Sequence, residues 1–136
     1  MPGVARTAIA IDQALLAKFD RWMARHGYTN RSEALRDLIR AALVDQQWQD
    51  PKAPVVACLS IIYQHHRRDL SGQLTDLQHE HHQAILCSQH VHLDHENCLE
   101  VIIMQGAAGQ LRRIADAIIS MRGVKAGRIS LLSRNV

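Results

Sequence analysis

Residues 84–106 read "AILCSQHVHLDHENCLEVIIMQG", and this stretch predicts a β-hairpin. Apolar and β-branched side chains dominate on both sides of the short polar segment 95–97, as in two strands joined by a turn. Alternate side chains of a strand point to the same face, so His90 and His92 are expected to point the same way. This pair of antiparallel strands is the starting point for the fold of the surrounding chain.

Elements of alternating type flank the hairpin. The segment 55–64 is apolar and β-branched enough for a buried strand, and the segment 128–133 predicts a last strand. Apolar positions recur at helical spacing in two further segments: Leu70, Leu74, Leu77 and His81 in residues 67–83, and Leu111, Ile114, Ile118 and Met121 in residues 107–123. The order β, α, β, β, α, β predicts an α+β, ferredoxin-like fold with both helices on one sheet face. The uncovered face is expected to pack on another subunit.

A polar segment with two prolines, "DQQWQDPKAP" at residues 45–54, precedes this region. We therefore predict one domain at residues 1–45, a linker at 46–54 and a second domain at 55–136. Residues 1–44 carry seven basic and four acidic side chains, a net charge of +3, which leaves the rest balanced because the whole chain is also +3. This uneven charge indicates two modules with different partners.

The first module combines a short strand with two helices. Residues 6–12, "RTAIAID", alternate between one side with Thr7, Ile9 and Ile11 and another with Arg6, Ala8 and Ala10. Asp12 is expected to cap a helix that ends at Gly27, and Asn30, with Glu33 at the capping-box position, to cap a second helix. The apolar stripes are Leu15, Leu16, Phe19, Trp22 and Met23 in the first helix and Leu35, Leu38, Ile39, Ala42 and Leu43 in the second.

One strand and two helices within residues 1–44 cannot enclose a core, and a lone strand leaves its backbone donors unpaired. Pairing with the same strand of a second copy solves both problems. The product is a two-stranded ribbon over four helices, the ribbon-helix-helix arrangement of small dimeric repressors that place the ribbon in the major groove of DNA.

Composition argues against secreted and membrane proteins. Nothing resembles a signal peptide, and no run approaches the ~20 apolar residues of a membrane span, so we expect a soluble, cytoplasmic protein with no membrane partner. The three cysteines (Cys58, Cys87 and Cys98) are odd in number, which argues against a disulfide framework. At least one cysteine is therefore free to act as a metal ligand.

The segment "HVHLDHENC" at 90–98 predicts a metal site. The apolar set Cys87, Val91, Leu93, Leu99, Val101 and Ile103 is expected to face the helices, which places His90, His92, Cys98 and Glu100 together on the uncovered face. Cross-strand neighbours are ~5 Å apart, close enough to share one ion. The other histidines at positions 26, 65, 66 and 95 are expected to be ordinary surface or core residues.

A fourth ligand is expected from "HEHH" at 79–82. On a helix His79 lies about 200° from Leu77, on the side turned away from its own sheet. We therefore expect His79 to reach the site of another subunit. Imidazole and thiolate donors suit zinc, copper or nickel, and the ligand set alone does not select among them.

Several motifs together closely resemble the nickel-responsive repressor NikR family along nearly the whole chain. They are "GYTNRSEALRDLIR" at 27–40, "HHRRDL" at 65–70, "QHEHH" at 78–82 and "HVHLDHENCLEVIIMQG" at 90–106. The resemblance implies a ribbon-helix-helix domain, an ACT-type regulatory domain and a homotetramer built as a dimer of dimers. It also implies one Ni²⁺ per subunit, bound by His90, His92 and Cys98 with His79 of a facing subunit, and repression of nickel uptake genes.

The resemblance also implies contacts with a double-stranded DNA operator. Similar proteins carry an arginine and two threonines at the outward ribbon positions, where this chain has Arg6, Ala8 and Ala10. Arg6 can hydrogen-bond a guanine edge, whereas the alanines offer only methyl contact to thymine, so a different operator sequence is expected. Asn30 and Arg31, at the start of the second helix, are expected to hold phosphate.

Glu33 and Asp37, four residues apart, match the second, weaker cation site that the family carries between its domains. Alone, such a pair is usually a solvated helix face. The favoured hypothesis is a metal-activated, DNA-binding repressor and not an enzyme. The alternatives are a repressor responding to copper, zinc or cobalt, a metal-dependent enzyme with Glu100 as acid or base, and a ribbon-helix-helix protein whose second domain senses a small molecule.

Overall fold

The computed structural model describes residues 3–66 and 68–134. Its elements are α1 (Gln13–Arg25), α2 (Arg31–Gln49), β1 (Pro54–Gln64), α3 (Arg68–Glu80), β2 (Ile85–His92), β3 (Asn97–Ala107), α4 (Ala108–Ile119) and β4 (Val124–Leu132). Residue 67, where the sequence predicts the start of a helix, lies outside the described residues. The chain divides into two compact units, one ending at Arg40 and the other beginning at Ala41.

The second unit has the predicted ferredoxin-like topology. Its strands form one antiparallel sheet in the order β2-β3-β1-β4. Helix α4 packs on β1, β3 and β4, and α3 adds Leu70 and Leu74 to the core beneath it. Every second residue of β1 is buried, from Val55 to Tyr63, so this central strand presents one face to the helices. The prediction of an α+β fold is confirmed.

The helix-covered face of β3 is the opposite of the one predicted. Its buried residues are Cys98, Glu100, Ile102 and Met104, whereas Leu99, Val101 and Ile103 are only half-buried on the other face. Both alternating sets of β3 contain large apolar side chains, so the strand by itself does not determine which set is covered. Pairing with β1 decides it, because Cys98 lies opposite buried Tyr63 and Glu100 lies opposite buried Ile61.

The helices of the second unit are shorter than predicted, and β4 is longer. Helix α3 ends at Glu80, so His81 lies in the following turn, where its amide donates to the Leu77 carbonyl at 3.2 Å. Strand β4 begins at Val124, earlier than the predicted start at residue 128. The reason is that its pairing with β1 already begins at Val124.

The first unit has its predicted helices and caps. The Asp12 carboxylate accepts from the Leu15 amide at 2.9 Å, and the Asn30 side chain accepts from the Ser32 and Glu33 amides at 2.8 and 3.3 Å. Helix α1 is followed by Gly27 with φ of 77°, a left-handed conformation that favours glycine. The predictions that Asp12 and Asn30 cap the two helices are confirmed.

Most of the apolar stripe of α2, and Leu15 of the α1 stripe, are exposed in one copy of the chain. Leu15 and Ile39 are each 55% exposed, Leu38 is 41% exposed and Leu43 is 43% exposed. Described residues 3–12 form no strand pairing. Both observations are what the predicted pairing with a second copy would leave in a single chain.

Helix α2 continues through residues 46–49 of the predicted linker. The segment from Asp45 to Gln49 contains no glycine or proline, so nothing in it stops the helix. Pro51 disfavours helical conformation at Asp50, and the chain turns there. In the parts of the chain that the structure covers, none of the helices has the length and apolar character needed to cross a bilayer.

Candidate metal centre

Four side chains with metal-binding atoms converge at the end of the sheet that carries the turn between β2 and β3. Among the described residues these are His65, His90, His92 and Cys98, and their ligand atoms all lie within 4.8 Å of one another. Around one ion with bonds of about 2.0–2.3 Å, donors are separated by roughly 3–4.5 Å. The cluster therefore fits a single first-row metal after small side-chain movements.

The β2–β3 hairpin brings three of the four residues together. His92 pairs with Cys98 and His90 pairs with Glu100, so the two imidazoles and the thiol share one face, as predicted. That face is the helix-covered one, and the prediction of the uncovered face was wrong. Because β2 is an edge strand, both histidines remain exposed while Cys98 is fully buried on β3.

The turn of the hairpin is held by the Asp94 carboxylate. Its Oδ1 atom accepts from the Glu96 and Asn97 amides at 2.8 Å each, and the Asn97 side chain also donates to the carboxylate. These hydrogen bonds hold the pKa of Asp94 below its usual value. A charged turn residue at neutral pH thus fixes the register that sets Cys98 beside His92.

His65 is the member of the cluster that the sequence analysis did not predict. Its Nδ1 atom lies 3.3 Å from the Cys98 sulfur, closer than the 3.5 Å separation of His92 Nδ1 from the same atom. His65 directly follows β1, and its amide donates to the Glu96 carbonyl at 2.7 Å. Only the pairing of β1 with β3 could have revealed it, because that register places residue 65 beside the turn.

Burial and neighbouring charged groups disfavour the charged forms of Cys98 and His65. Burial raises the pKa of the Cys98 thiol, and the carboxylates of Asp94 and Glu100 act in the same direction. Desolvation lowers the pKa of His65, and the neighbouring histidines lower it further. A protonated Cys98 thiol and a neutral His65 imidazole are therefore favoured at neutral pH, and a metal must displace the thiol proton when it binds.

Two polar side chains, Tyr63 and Gln78, form hydrogen bonds with residues of the metal centre and its surroundings. The Tyr63 hydroxyl lies 2.8 Å from His90 Nδ1, and burial, with the nearby Glu100 and Cys98, raises the pKa of Tyr63 to about 12. When His90 carries its proton on Nδ1, its Nε2 atom is left free to bind a metal. Gln78 of α3 donates to Glu100 at 3.1 Å, which ties the end of that helix to the site.

His79, the predicted fourth ligand, is exposed near the end of α3 and is not part of the cluster within one chain. A ligand that another subunit supplies is not expected to lie in the cluster of its own chain. The intersubunit role of His79 therefore remains a prediction.

The residues predicted to contact DNA lie in the first unit. Arg6, Ala8 and Ala10 are exposed. Thr7, Ile9 and Ile11 line a groove with Leu16, Arg31 and Leu35, as the alternation predicts. The Arg31 guanidinium donates to both Asp20 oxygens at 2.9 and 2.8 Å, and Asn30 caps α2. The Asp20 carboxylate therefore accepts from two of the five guanidinium N–H groups of Arg31.

Glu33 and Asp37 border a second groove in the first unit, lined also by Val4, Tyr28, Arg36 and Arg40. Tyr28 donates to one Asp37 oxygen at 2.7 Å and Arg40 donates to the other at 3.1 Å. A cation bound here would have to compete with the Arg40 guanidinium for Asp37.

These features define a class of protein. Two capped helices after an extended segment, with apolar faces open for a second copy, are joined to a ferredoxin-like unit with a cluster of imidazoles and one thiol. That combination is a ribbon-helix-helix regulator with a metal-binding domain.

The family follows from comparison with known proteins. Residues 56–132 match the NikR C-terminal nickel-binding domain, and residues 5–46 match the ribbon-helix-helix protein family of the CopG type. The chain belongs to the NikR family, which is a family of transcriptional regulators and not of enzymes.

Relatives of similar length support this assignment. A protein of Solibacter usitatus named as a nickel-responsive regulator is 49% identical over 131 residues, covering 96% of this chain and 94% of its own. A protein of the same name from Geobacter metallireducens is 48% identical over 129 residues, covering 95% and 93%. A third, from Nitratidesulfovibrio vulgaris, is 46% identical over 126 residues, covering 93% and 91%.

Proposed function

We propose that the chain is a nickel-responsive repressor that binds a DNA operator more tightly when nickel occupies the hairpin site. The observation that carries this proposal is the meeting of His90, His92 and Cys98 at one end of the sheet, in a chain of the NikR family. Nickel shifts the protein toward its DNA-binding state only to the extent that it binds this state more tightly than the other state. The proposed targets are nickel uptake genes, and the proposed location of the protein is the cytoplasm.

The side chains fit nickel by their chemistry. Imidazole nitrogen and thiolate sulfur are donors that Ni²⁺ accepts in a planar arrangement, with one ion proposed for each subunit. His90 offers Nε2 because Tyr63 holds its Nδ1 atom, and Cys98 contributes its sulfur after losing the thiol proton. Because that proton must leave, nickel affinity should weaken in acid.

The fourth ligand distinguishes an intersubunit site from a site within one chain. We propose that His79 of a facing subunit completes the nickel site, in a homotetramer built as a dimer of dimers. His65 is the competing candidate, because its Nδ1 atom already lies 3.3 Å from the Cys98 sulfur within the same chain. The two candidates predict different assemblies, since only His79 would link subunits through the metal.

Matched variants separate these candidates. In His79→Ala, the absorption bands of a planar nickel–thiolate site and the nickel-dependent tetramer should be lost, whereas His65→Ala should retain both. If His65→Ala loses the bands and His79→Ala keeps them, the fourth ligand lies within the chain and the intersubunit site is rejected.

The first unit is proposed to bind DNA as a dimer. Paired ribbons would present Arg6, Ala8 and Ala10 of each copy to base edges of double-stranded DNA, and the open faces of α1 and α2 would form the dimer core. The exposure of Leu15 and Ile39 in one copy supports this proposal. The ion pair with Asp20 leaves the Nη1 group of Arg31 for the proposed phosphate contact and holds the guanidinium near the start of α2.

The decisive test is a gel-shift titration with a DNA fragment that the protein itself selects from a random pool in the presence of nickel. Saturating nickel should tighten binding of the unmodified protein, and His92→Ala should lose the effect while binding in the absence of nickel stays unchanged. Equal operator affinity with and without nickel would reject the proposed function.

A repressor of the same fold that responds to zinc, copper or cobalt is the second candidate. The presence of His65 in the cluster favours it, because three imidazoles and one thiol within one chain can surround a tetrahedral ion without assembly. Gel shifts at fixed free concentrations of each metal distinguish the two. A response to zinc at lower free concentration than to nickel would select this candidate.

A further inference from the structure

We propose that Lys125 of β4 is a positioning residue for the metal centre, because its ammonium group holds the turn between β2 and β3 through the side chain of Asn97. Lys125 acts on the ligands and not on the ion, by keeping His92 and Cys98 at the separation that one nickel ion requires. The proposal rests on the proposed function, since it assumes that nickel binds this site. All four residues belong to the second unit.

Strand β4 contains one extra residue at Lys125. The pairing of β4 with β1 places Ala126 opposite Ile62 and Val124 opposite Tyr63, so Lys125, between the two pairs, has no position opposite it in β1. An extra residue of this kind, a β-bulge, bends the strand locally and redirects its own side chain. The bulge lies beside Tyr63, at the end of the sheet that carries the metal centre.

The Asn97 side chain connects Lys125 to the turn. Lys125 Nζ donates to Asn97 Oδ1 at 2.6 Å, and Asn97 Nδ2 donates to the two carboxylate oxygens of Asp94 at 3.0 and 2.9 Å. Only one orientation of the amide suits both neighbours, because its oxygen must face the ammonium group and its NH₂ group must face the carboxylate. The positive charge of Lys125 and the negative charge of Asp94 therefore fix the Asn97 side chain between them.

The backbone of Asn97 transmits this restraint to two metal ligands. Its carbonyl accepts from the Leu93 amide at 3.0 Å, and its amide donates to the Asp94 carboxylate at 2.8 Å. Leu93 directly follows His92, and Asn97 directly precedes Cys98, which lies opposite His92 in the hairpin. A displacement of Asn97 would therefore change the 3.5 Å separation of His92 Nδ1 from the Cys98 sulfur.

The turn needs support from outside the hairpin because β2 is an edge strand. Strand β2 has a neighbouring strand on one side only, and residues 91–96 are exposed. Ligands that share one ion must be held within about 0.5 Å of their binding geometry. Lys125 provides a contact from β4, the strand at the opposite edge of the sheet, so it ties the exposed turn to a distant part of the same unit.

Lys125→Met tests the proposal, because methionine retains most of the side-chain length and removes the ammonium group. Its nickel affinity, measured by competition with a chelator, should fall about fivefold, the upper end of the range for an exposed charged contact. Its nickel–thiolate absorption bands should shift, since the ligands are held less firmly. Lys125→Arg, which can still donate to Asn97, should restore both properties. The matched control is Arg128→Met, which removes the same charge from an exposed position of β4 and should bind nickel like the unmodified protein.

A double variant tests whether Lys125 acts through Asn97. Asn97→Ala should lower nickel affinity by at least as much as Lys125→Met, and the addition of Lys125→Met to Asn97→Ala should cause no further loss. Losses of the single variants that multiply in the double variant would show an effect of charge alone and overturn the proposal. A Lys125→Met variant within twofold of the unmodified protein also overturns it. An unmodified protein without nickel–thiolate bands overturns the proposed function instead, so the two failures are distinguishable.

Discussion

Removal of a single hydroxyl group isolates the contribution of Tyr63 to the metal centre. The Tyr63 oxygen lies 2.8 Å from His90 Nδ1, and the two rings meet edge to face with centres 5.9 Å apart. Tyr63→Phe keeps the buried ring and this ring contact, so the core should remain intact while His90 loses the hydrogen bond that orients it. Replacement of such supporting groups typically lowers metal affinity by about 10–100-fold.

Because the bond joins a neutral hydroxyl to an exposed histidine, the low end of that range is expected. Nickel affinity of Tyr63→Phe should fall about tenfold, which corresponds to about 1.4 kcal/mol. The assay is a competition titration against a chelator of known nickel affinity, followed through the nickel–thiolate absorption bands.

Tyr28→Phe is the matched control, because it removes the hydroxyl that donates to Asp37 in the first unit. It should bind nickel like the unmodified protein. A Tyr63→Phe variant whose nickel affinity lies within twofold of the unmodified protein would refute the claim that this hydroxyl positions His90. An equal loss in both variants would show that the effect is not specific to the metal centre.

Three further predictions concern stability, pH and the thiolate. Gly127→Ala should destabilise the protein by about 1–3 kcal/mol in a urea titration, since a Cβ there would lie 2.6 Å from an α4 side chain, whereas Gly72→Ala, with open space around it, should cause no loss. The hydrogen bond from Arg31 holds the pKa of Asp20 below its usual value. The ion pair therefore adds its full stability above pH ~4, the ordinary range of an Asp carboxyl, and this stability is lost as the pH falls through the lowered pKa. The stability gap between the unmodified protein and Asp20→Asn should therefore shrink between pH 7 and pH 3; an unchanged gap contradicts this. Cys98→Ser should abolish the nickel–thiolate bands and the nickel-dependent gel shift; retained bands would exclude Cys98 as a ligand.

Local geometry explains why the hairpin was predictable. Side chains alternate in any strand, so His90, His92 and Cys98 had to share a face once a short turn joined the two strands. The caps at Asp12 and Asn30 were predictable for a similar reason, because a side-chain oxygen two or three residues from free helix amides needs no distant partner.

Contacts between distant segments explain what could not be predicted. The covered face of β3 depended on its pairing with β1, because both faces of β3 offered comparable apolar area. The same pairing placed His65 beside Cys98, although 33 positions separate them. No local pattern in the sequence contains that information.

The sequence by itself determined the order of the elements, the helix caps and the shared face of the three hairpin ligands, because each depends on residues close together in the chain. Tertiary structure alone decided which sheet face the helices cover, that His65 joins the metal cluster, and that Arg112 donates to the Trp48 carbonyl at the end of α2. These outcomes depend on which surfaces bury the most apolar area together, a property of the whole core and not of any one segment.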